Sequence, residues 1–367
     1  MKNPSFLPLA TAIAAGLVVV LATCAGPPKM PALDGAVIEI RRSDRALPDG
    51  ARGHSDELQL YWFGSACHLI RLGDVSVLTD PFVTNDLELF GLASDPARVA
   101  ATLGRITPPD AVVINHSHHD HLLDAYPAVS LPRWKARGVP LYGGESAINL
   151  LAGFEGGRIN PRWHAVDHGT RIHVAGGTPG YSATITAYQT KHAAHLKCGY
   201  TFANGRIQRP RTTPPTTITD FQAGEVFNYL IEMRAPGGVE FNVLYLGAPY
   251  HLDELPDSQP PAGTRIDVAI ILAPSADNVH HYPRKHLARL QPKHIVLSHF
   301  NTFITEDPDE QLAYGPVDFV HLPHLSREVQ ATFALKEACY PRFEKLYIPA
   351  ITRIDEQGEA RNVIRIR

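Results

Sequence analysis

The sequence is poor in sulfur-containing residues. It has four cysteines and three methionines in 367 residues, and no two cysteines form a Cys-x-x-Cys pair. Zinc fingers and iron–sulfur clusters need several closely spaced thiolates, so this count argues against both. Nineteen histidines are present instead. The composition therefore favours a metal site built from imidazoles, if there is one.

The sequence also lacks an excess of charge of either sign. Its 34 Lys and Arg residues face 37 Asp and Glu residues, for a net charge of −3, and it has no basic run. Nucleic-acid binding needs clustered cations to neutralise phosphates, so no nucleic-acid partner is expected. Hydrophobic residues make up 44% of the chain, which suits a large buried core and not a disordered protein.

The N-terminal apolar run is shorter than a comfortable membrane span. It covers residues 10–21 after Lys2, whereas a bilayer needs about 20 residues. We interpret residues 1–23 as a signal peptide of the lipoprotein type. The run ends in Leu-Ala-Thr-Cys24, which resembles a bacterial lipobox, although threonine replaces the usual small residue. Cys24 is thus the expected lipid attachment site, with ordinary cleavage or a retained anchor as alternatives. The expectation is an exported protein, membrane-anchored in the bacterial periplasm or cell envelope.

The remaining chain divides by composition into a tether and a domain. Residues 24–57 are rich in Pro, Gly, Ala, Arg and Asp, which predicts a flexible tether. Residues 58–350 alternate β-like runs with turn residues and a few helical stretches, which predicts one α/β domain. Residues 351–367 are predicted to form a C-terminal β-hairpin of the same domain. The segment 204–219 predicts an exposed loop.

Short β-like runs outnumber helical stretches in the predicted domain. Asp95 and Pro96 are typical of the cap and first position of a helix. Strands are predicted at 58–63, 68–72, 75–79, 111–115, 183–188, 227–233, 240–246, 268–272 and 294–298, and helices at 95–103, 145–152, 283–290 and 327–338.

The strongest motif directly follows the predicted strand 111–115. The segment His116-Ser-His-His-Asp-His121 holds four imidazoles and one carboxylate in six residues. Each buried neutral imidazole needs a partner for both nitrogens, so this cluster does not suit an apolar core. The carboxyl ends of strands are where α/β proteins place their functional sites. The segment therefore predicts a metal-binding site.

The pattern His-x-His-x-Asp-His resembles the signature of the metallo-β-lactamase superfamily. The resemblance implies an α/β fold, a four-layer αβ/βα sandwich with one or two metal ions at the edges of its sheets. It implies that His116 and His118 bind a first ion, and that Asp120 and His121 bind a second. His119 would bind neither.

The resemblance implies one further histidine for each ion. The first ion's third ligand should follow a later strand, where His192 and His195 both stand. The resemblance favours His192, with His195 as the alternative or as a substrate contact. The second ion's histidine should follow a strand near the C-terminal end, and Leu-Ser-His299 matches that position.

One ligand of the family pattern is missing. Most members carry a bridging aspartate in a Gly-Asp-Thr segment, and Gly-Ala248-Pro stands at the corresponding place. His251 or Asp253 could replace it, the two ions could share only a hydroxide, or one ion could be weakly bound or absent. The six other ligands leave three for each ion, with a position for water on both.

Other segments resemble one branch of the superfamily, that of N-acyl-phosphatidylethanolamine phospholipase D and ascorbate-phosphate lactonase. In this branch a Gly-His-Ala stretch precedes Thr-Asp-Pro, and here Ser65 replaces the histidine. Asp80 of the Thr-Asp-Pro segment is expected to accept a hydrogen bond from a ligating histidine. Asp110 and Asp124 are weaker candidates for that role.

The histidine pair His280-His281 also follows the spacing of this branch. The spacing makes His281, or its neighbour His280, a candidate pocket residue. An exposed, solvated pair is the alternative.

The resemblance implies a metal-dependent hydrolase in which a metal-bound hydroxide is the nucleophile. Asp120 would be catalytic by orienting that hydroxide. The expected substrate is a small-molecule or lipid-derived phosphodiester, ester or lactone. Zinc suits the imidazoles best, although the aspartate would tolerate iron or manganese. The alternatives are a β-lactamase-type amide hydrolase and, because of Ala248, a non-catalytic metal-binding lipoprotein.

Overall fold

The computed structural model describes most of the predicted domain. It describes residues 56–84, 92–195, 199–300, 344–347, 349, 351–355 and 359–367. The predicted signal peptide, Cys24, nearly all of the tether and the helix predicted at 327–338 lie outside these residues. No helix in the described ranges has the length and apolar character needed to cross a membrane.

Regular structure in the described ranges consists mainly of short strands. The α-helices are α1 (Pro96–Thr102), α2 (His119–Leu122), α3 (Ala125–Ser130), α4 (Pro132–Arg137), α5 (Glu145–Leu151) and α6 (Arg284–Leu290). The strands are β1 (Leu58–Trp62), β2 (His68–Leu72), β3 (Val75–Thr79), β4 (Ala111–Val113), β5 (Leu141–Gly143), β6 (Trp163–Ala165), β7 (Arg171–Ala175), β8 (Ser182–Thr190), β9 (Val226–Arg234), β10 (Glu240–Leu246), β11 (Val268–Leu272), β12 (His294–Ser298), β13 (Lys345–Tyr347), β14 (Arg353–Ile354), β15 (Ala360–Arg361) and β16 (Ile364–Ile366).

Two seven-stranded sheets form the framework and share one plan. The first has the order β16-β1-β2-β3-β4-β5-β6, and the second β13-β12-β11-β10-β9-β8-β7. In the first sheet the pairs from β16 to β3 are antiparallel and those from β3 to β6 are parallel. In the second, β7 to β10 pair antiparallel and β10 to β13 pair parallel. Strands β14 and β15 form a separate ribbon.

The sheets pack face to face and carry helices on their outer faces. Side chains such as Ile70, Ile185 and Val243 fill the space between the sheets. Trp134 of α4 belongs to the apolar cluster on the outer side of the first sheet, and Leu287 of α6 to the cluster on the outer side of the second. Every residue of β11 is buried, as expected for a parallel strand covered on both faces. The predicted four-layer αβ/βα sandwich is confirmed.

The longer elements agree with the sequence-based prediction, and the short ones differ from it. Helix α1 starts as predicted, because the Asp95 carboxylate accepts hydrogen bonds from two backbone N–H groups of its first turn. The strand predicted at 111–115 ends at Val113, and the short elements β5, β6, β7 and α2 to α4 were not predicted. The C-terminal segment is only partly a hairpin, since β16 leaves the ribbon and pairs with β1. The segment 204–219 is mainly exposed, as predicted, and irregular up to Thr217, after which a short 3-10 helix begins at Ile218.

Candidate metal centre

Four strand ends position the polar residues of the candidate site. Asp80 follows β3, the histidine-rich segment 116–121 follows β4, His192 lies two residues beyond β8, and His299 follows β12. The first two strands belong to the first sheet and the other two to the second. The site therefore lies where the two sheets meet.

The predicted ligands form two groups of three donors. In each group the donor atoms lie within 4.8 Å of one another. The first group is His116, His118 and His192, and the second is Asp120, His121 and His299. Each group takes two donors from the segment after β4 and one from the second sheet. The groups adjoin, since the rings of His116 and His121 have centroids 3.9 Å apart.

Hydrogen bonds fix the tautomers of three of the histidines. The Nδ1 atom of His116 faces Asn115 Oδ1 at 2.5 Å, and Nδ1 of His192 faces the Ala193 carbonyl at 2.6 Å. Nδ1 of His121 lies 2.7 Å from the Asp80 carboxylate. Carbonyl and carboxylate oxygens only accept, so Nδ1 carries the proton in each case. The Nε2 lone pairs of all three are then available to a metal ion.

The ring of His118 has the opposite orientation, with Nδ1 facing His116. Its contacts show whether a cation fits between these two rings. Its Nε2 lies 3.4 Å from the Ala203 carbonyl, while its Nδ1 lies 2.9 Å from Nε2 of His116. With these tautomers, the two facing nitrogens both present lone pairs, which repel unless a cation lies between them. The donor set is the imidazole-rich one that zinc prefers. The residues of the first group therefore fit a metal ion.

Asp80 contacts the second group through His121 and orients that ring. Its carboxylate is fully buried, and one oxygen accepts a hydrogen bond from the Asn115 backbone N–H at 2.6 Å. The other oxygen accepts from His121 Nδ1 and from the hydroxyl of Tyr245. Asp80 thus contacts the candidate ligand His121, as the sequence predicts for it.

Burial and mutual proximity keep the first group neutral. Burial, with the neighbouring histidines, holds the pKa of His116 and of His192 well below the ordinary value. Burial likewise lowers the pKa of His118 to about 4. Neutral imidazoles are the form that binds metals.

In the second group, side chains of opposite charge shift one another's pKa values toward the charged forms. Burial would raise the pKa of Asp120, but His121, His119 and His299 outweigh it and hold that pKa well below its usual range. Burial would lower the pKa of His121, but Asp80 and Asp120 outweigh it and raise that pKa. The Asp120 carboxylate is therefore anionic, as a metal ligand must be.

His195 lies beside the first group without belonging to it. Its ring stacks on His192 with centroids 4.6 Å apart and lies 5.5 Å from the ring of His118. Its Nδ1 accepts a hydrogen bond from the Phe202 backbone N–H at 3.1 Å. The neutral ring therefore carries its proton on Nε2, which makes that atom a hydrogen-bond donor.

Three other candidate pocket residues do not join the two groups. Asp253 is exposed and pairs with Lys285 on the surface, and His251 is only partly buried. His281 is exposed, and its ring lies beside that of His280, with centroids 3.6 Å apart and planes tilted by 47°. The structure therefore does not bring His251 or Asp253 in as a substitute for the missing bridging aspartate.

The replacement residue itself contributes no ligand. Ala248 is buried and follows Gly247 at the end of β10. A Cβ atom at Gly247 would lie 1.8 Å from the Asn115 side chain, so the absence of a side chain at Gly247 makes room for Asn115. This part of the loop thus supports the hydrogen bond between Asn115 and His116 and contributes no charge.

The two weaker carboxylate candidates bond elsewhere. Asp124 accepts hydrogen bonds from the backbone N–H groups of Val83 and Thr84, at 2.6 and 2.7 Å, and so fixes the loop after Asp80. Asp110 precedes β4 and accepts from the Ser76 N–H at 2.8 Å. The hydrogen bonds of both carboxylates thus fix neighbouring strands and loops: Asp124 also accepts from the hydroxyls of Thr84 and Ser94, and Asp110 from Arg137.

Three residues with clear roles at the site were not predicted. Asn115 and Tyr245 contact His116 and Asp80, as described above. Asn115 could have been noticed as the one polar residue ending an apolar run, whereas Tyr245 lies inside an apolar strand and carries no such signal. Ser65 was noted only as a departure from a family pattern, yet its hydroxyl lies 3.2 Å from His299 Nε2.

The chain is similar to several known proteins. The family model described as the beta-lactamase superfamily domain matches residues 59–296. A cytidine monophosphate-N-acetylneuraminic acid hydroxylase of Asterias rubens is 29% identical over 129 residues, which cover 32% of this chain and 19% of that protein. A UPF0173 metal-dependent hydrolase of Polynucleobacter asymbioticus is 27% identical over 186 residues, which cover 50% of this chain and 55% of that protein.

The matched region spans about half or less of the length of these curated relatives. Among solved structures, a metallo hydrolase of Ignicoccus hospitalis has 15% identity and a TM-score of 0.43, covering 85% of this chain and 99% of that one.

Proposed function

Because this chain belongs to the beta-lactamase superfamily, shown by the family model that matches most of its described domain, we propose that it is a metal-dependent hydrolase acting at a two-ion centre. One observation carries the proposal: two adjoining groups of three donors, each built from both sheets. Two such ions, when bound, acidify water and stabilise the charge that develops on the attacked group and on the leaving oxygen.

The residues of the chain have separate tasks in this proposal. His116, His118 and His192 hold the first ion, and His121 and His299 hold the second. Asp120 binds the second ion and orients the attacking water through its anionic carboxylate. These roles need no charged histidine in the first group, in agreement with its lowered pKa values.

His195 adds a hydrogen-bond donor at the edge of the first group. Because the Phe202 N–H occupies Nδ1, the Nε2–H is directed away from that contact. We assign to it a hydrogen bond to an oxygen of the substrate that gains negative charge as the bond breaks. Such a donor stabilises the transition state more than the ground state.

A phosphodiester, ester or lactone is the substrate class that we propose. No serine nucleophile motif of the Gly-x-Ser-x-Gly type occurs in the sequence, which supports water as the nucleophile. The test is a panel of bis-p-nitrophenyl phosphate, p-nitrophenyl esters, aromatic lactones and nitrocefin, with the purified protein loaded with zinc, manganese or iron.

The outcomes of the panel separate the alternatives. Chelator-sensitive hydrolysis of the phosphodiester, an ester or a lactone supports the proposal, and turnover of nitrocefin alone would identify a β-lactam hydrolase. Two bound ions with no turnover of any member, or one ion only, would favour a non-catalytic metal-binding protein and contradict the proposal.

We further propose that Cys24 carries a lipid that anchors the protein to the bacterial cell envelope. The support is the apolar run 10–21 followed by Leu-Ala-Thr-Cys. The test is the membrane fraction of cells that express the full chain or its Cys24→Ala variant. Release of the variant from membranes is the expected result, and equal partition of both proteins would contradict the anchor.

A further inference from the structure

Ser65 occupies a tightly held turn beside the second group of donors. The turn is closed by a hydrogen bond from the Cys67 N–H to the Gly64 carbonyl at 2.9 Å. The Ser65 carbonyl accepts from Trp62 Nε1 at 2.8 Å, from Ser298 Oγ at 3.0 Å and from the His299 N–H at 3.1 Å. Three donors on one carbonyl oxygen fix the position of this peptide, and therefore that of the side chain.

The backbone of Ser65 is strained in this position. Its φ angle is +43°, in the left-handed region that disfavours residues other than glycine. Its side chain is fully buried. A strained, buried serine in place of the easier glycine indicates that the hydroxyl has a task at this site.

The hydroxyl is placed as an additional member of the second group. It donates its proton to the backbone carbonyl of Asp120 at 3.0 Å, and its oxygen lies 3.2 Å from Nε2 of His299. The Asp120 carboxylate oxygen lies 3.0 Å from the same nitrogen. Two ligands of a tetrahedral zinc ion are about 3.3 Å apart, since zinc–ligand distances are about 2.0 Å. The distance of 3.2 Å between Ser65 Oγ and His299 Nε2 therefore matches the distance between two ligands of one ion.

We propose that Ser65 Oγ is a fourth protein donor of the second metal site. The oxygen binds the ion as a neutral ligand while its proton stays on the hydrogen bond to the Asp120 carbonyl. A neutral oxygen then occupies part of the coordination sphere that lacks a bridging carboxylate because Ala248 stands in that place. This inference rests on the metal binding in the proposed function, but not on any substrate.

Two substitutions test this assignment without measuring turnover. Ser65→Gly removes the hydroxyl and also relieves the left-handed strain, so the fold should keep its stability. We expect the second zinc ion to bind about 10- to 100-fold more weakly, the range found when a partner of a metal site is removed, with the first ion unaffected. Competition with a chromophoric chelator measures both affinities, and the melting temperature of the metal-free protein measures stability.

Ser65→Cys tests direct contact with the ion. A thiolate at this position should bond to Co²⁺ and give a thiolate-to-cobalt charge-transfer absorption that the wild-type protein lacks. Ser117→Cys is the matched control, because Ser117 lies between two ligands but its hydroxyl donates to the Gln222 carbonyl, at 2.7 Å. That thiol should give no such absorption.

The possible results either support or overturn the assignment. Weaker second-site binding in Ser65→Gly together with the new absorption in Ser65→Cys supports it. An unchanged second-site affinity, an absent absorption, or a wild-type protein that binds a single ion would overturn it. If the wild-type protein binds two ions but hydrolyses nothing, the proposed function fails while this assignment stands.

Discussion

Asp80 and His121 form a buried hydrogen bond of 2.7 Å between the end of β3 and helix α2. The same carboxylate accepts from the Asn115 N–H and from Tyr245. All three partners of Asp80 donate, so a carboxylate satisfies all of them and an amide does not. The pair therefore requires an anion at position 80.

Asp80→Asn should weaken the second metal site. One orientation of the amide turns its N–H₂ toward Asn115 N–H, and the other turns it toward His121, so one donor is left facing another. We expect the affinity for the second ion to fall about 10- to 100-fold, as measured by chelator competition. Asp110→Asn is the control and should retain both ions, because this carboxylate is also largely shielded from solvent but lies before β4, at the opposite end of the strand from the candidate ligands, and accepts from the Ser76 N–H. Equal losses in the two variants would contradict a specific role for Asp80.

His118→Ala should remove the first ion and the hydrolytic activity together. The first group keeps only two imidazoles in this variant, too few for a stable zinc site. Metal content per chain should fall from two equivalents to one, which elemental analysis measures. His119→Gln is the matched control, since His119 belongs to neither group of donors. An active His118→Ala variant with two ions would refute the ligand assignment.

His195 should affect turnover but not metal content. His195→Phe removes the Nε2–H donor, and we expect kcat to fall about 100-fold, the size of effect seen when a transition-state donor is lost. His195→Gln restores an N–H donor and should recover part of the rate. Elemental analysis should find the same metal content in both variants as in the wild type. If His195→Phe instead lost the first ion, His195 would be a ligand in place of His192.

His286 on α6 should make the fold sensitive to acid. Its ring is buried between Tyr250 and Tyr282, with centroids 4.5 and 5.0 Å away, and burial lowers its pKa to about 3. An unfolded histidine has a pKa of about 6.5, so between these values the unfolded state binds a proton that the folded state does not. Stability should fall with decreasing pH in that window by up to about 1.4 kcal/mol per pH unit.

The His286→Phe variant isolates this contribution. Relative to wild type, its free energy of unfolding in urea should rise as the pH drops from about 7 to about 5. Leu287→Ala, at a buried neighbour on the same helix, should lower stability by an amount that does not depend on pH. A parallel pH dependence in wild type and His286→Phe would show that His286 is not the origin.

The grouping of the six candidate ligands could be expected from the sequence because each follows a recognisable strand, and their binding of metal stays a prediction. His116 to His121 follow an apolar run, and His299 follows another, so both the residue types and their location were visible. The branch within the superfamily stays a prediction, since no comparison tests it.

Contacts across the two sheets could not be predicted in this way. Tyr245 looks like an ordinary core residue of β10, and only the facing of the sheets brings its hydroxyl to Asp80. The pair His280-His281 carried the same chemical signal as the ligands, but its exposure depends on how the loop before α6 packs. Strands β5 and β6 have three residues each, too few for any periodicity to appear.

The two groups of donors have one more consequence, which follows from their origin on both sheets. Among the described residues, neither part of the chain holds the full donor set of either group: the part before β7 supplies His116 and His118 to the first group and Asp120 and His121, with Ser65 as we propose, to the second, and His192 and His299 complete them. A bound ion would therefore link the part of the chain before β7 to the part after it. The free energy of metal binding would stabilise the association of the two parts. Two separately produced fragments, divided in the exposed stretch between β6 and β7, should associate more tightly with zinc than in a chelator, because the metal adds to the apolar contacts between the sheets and to the pairing of β16 with β1.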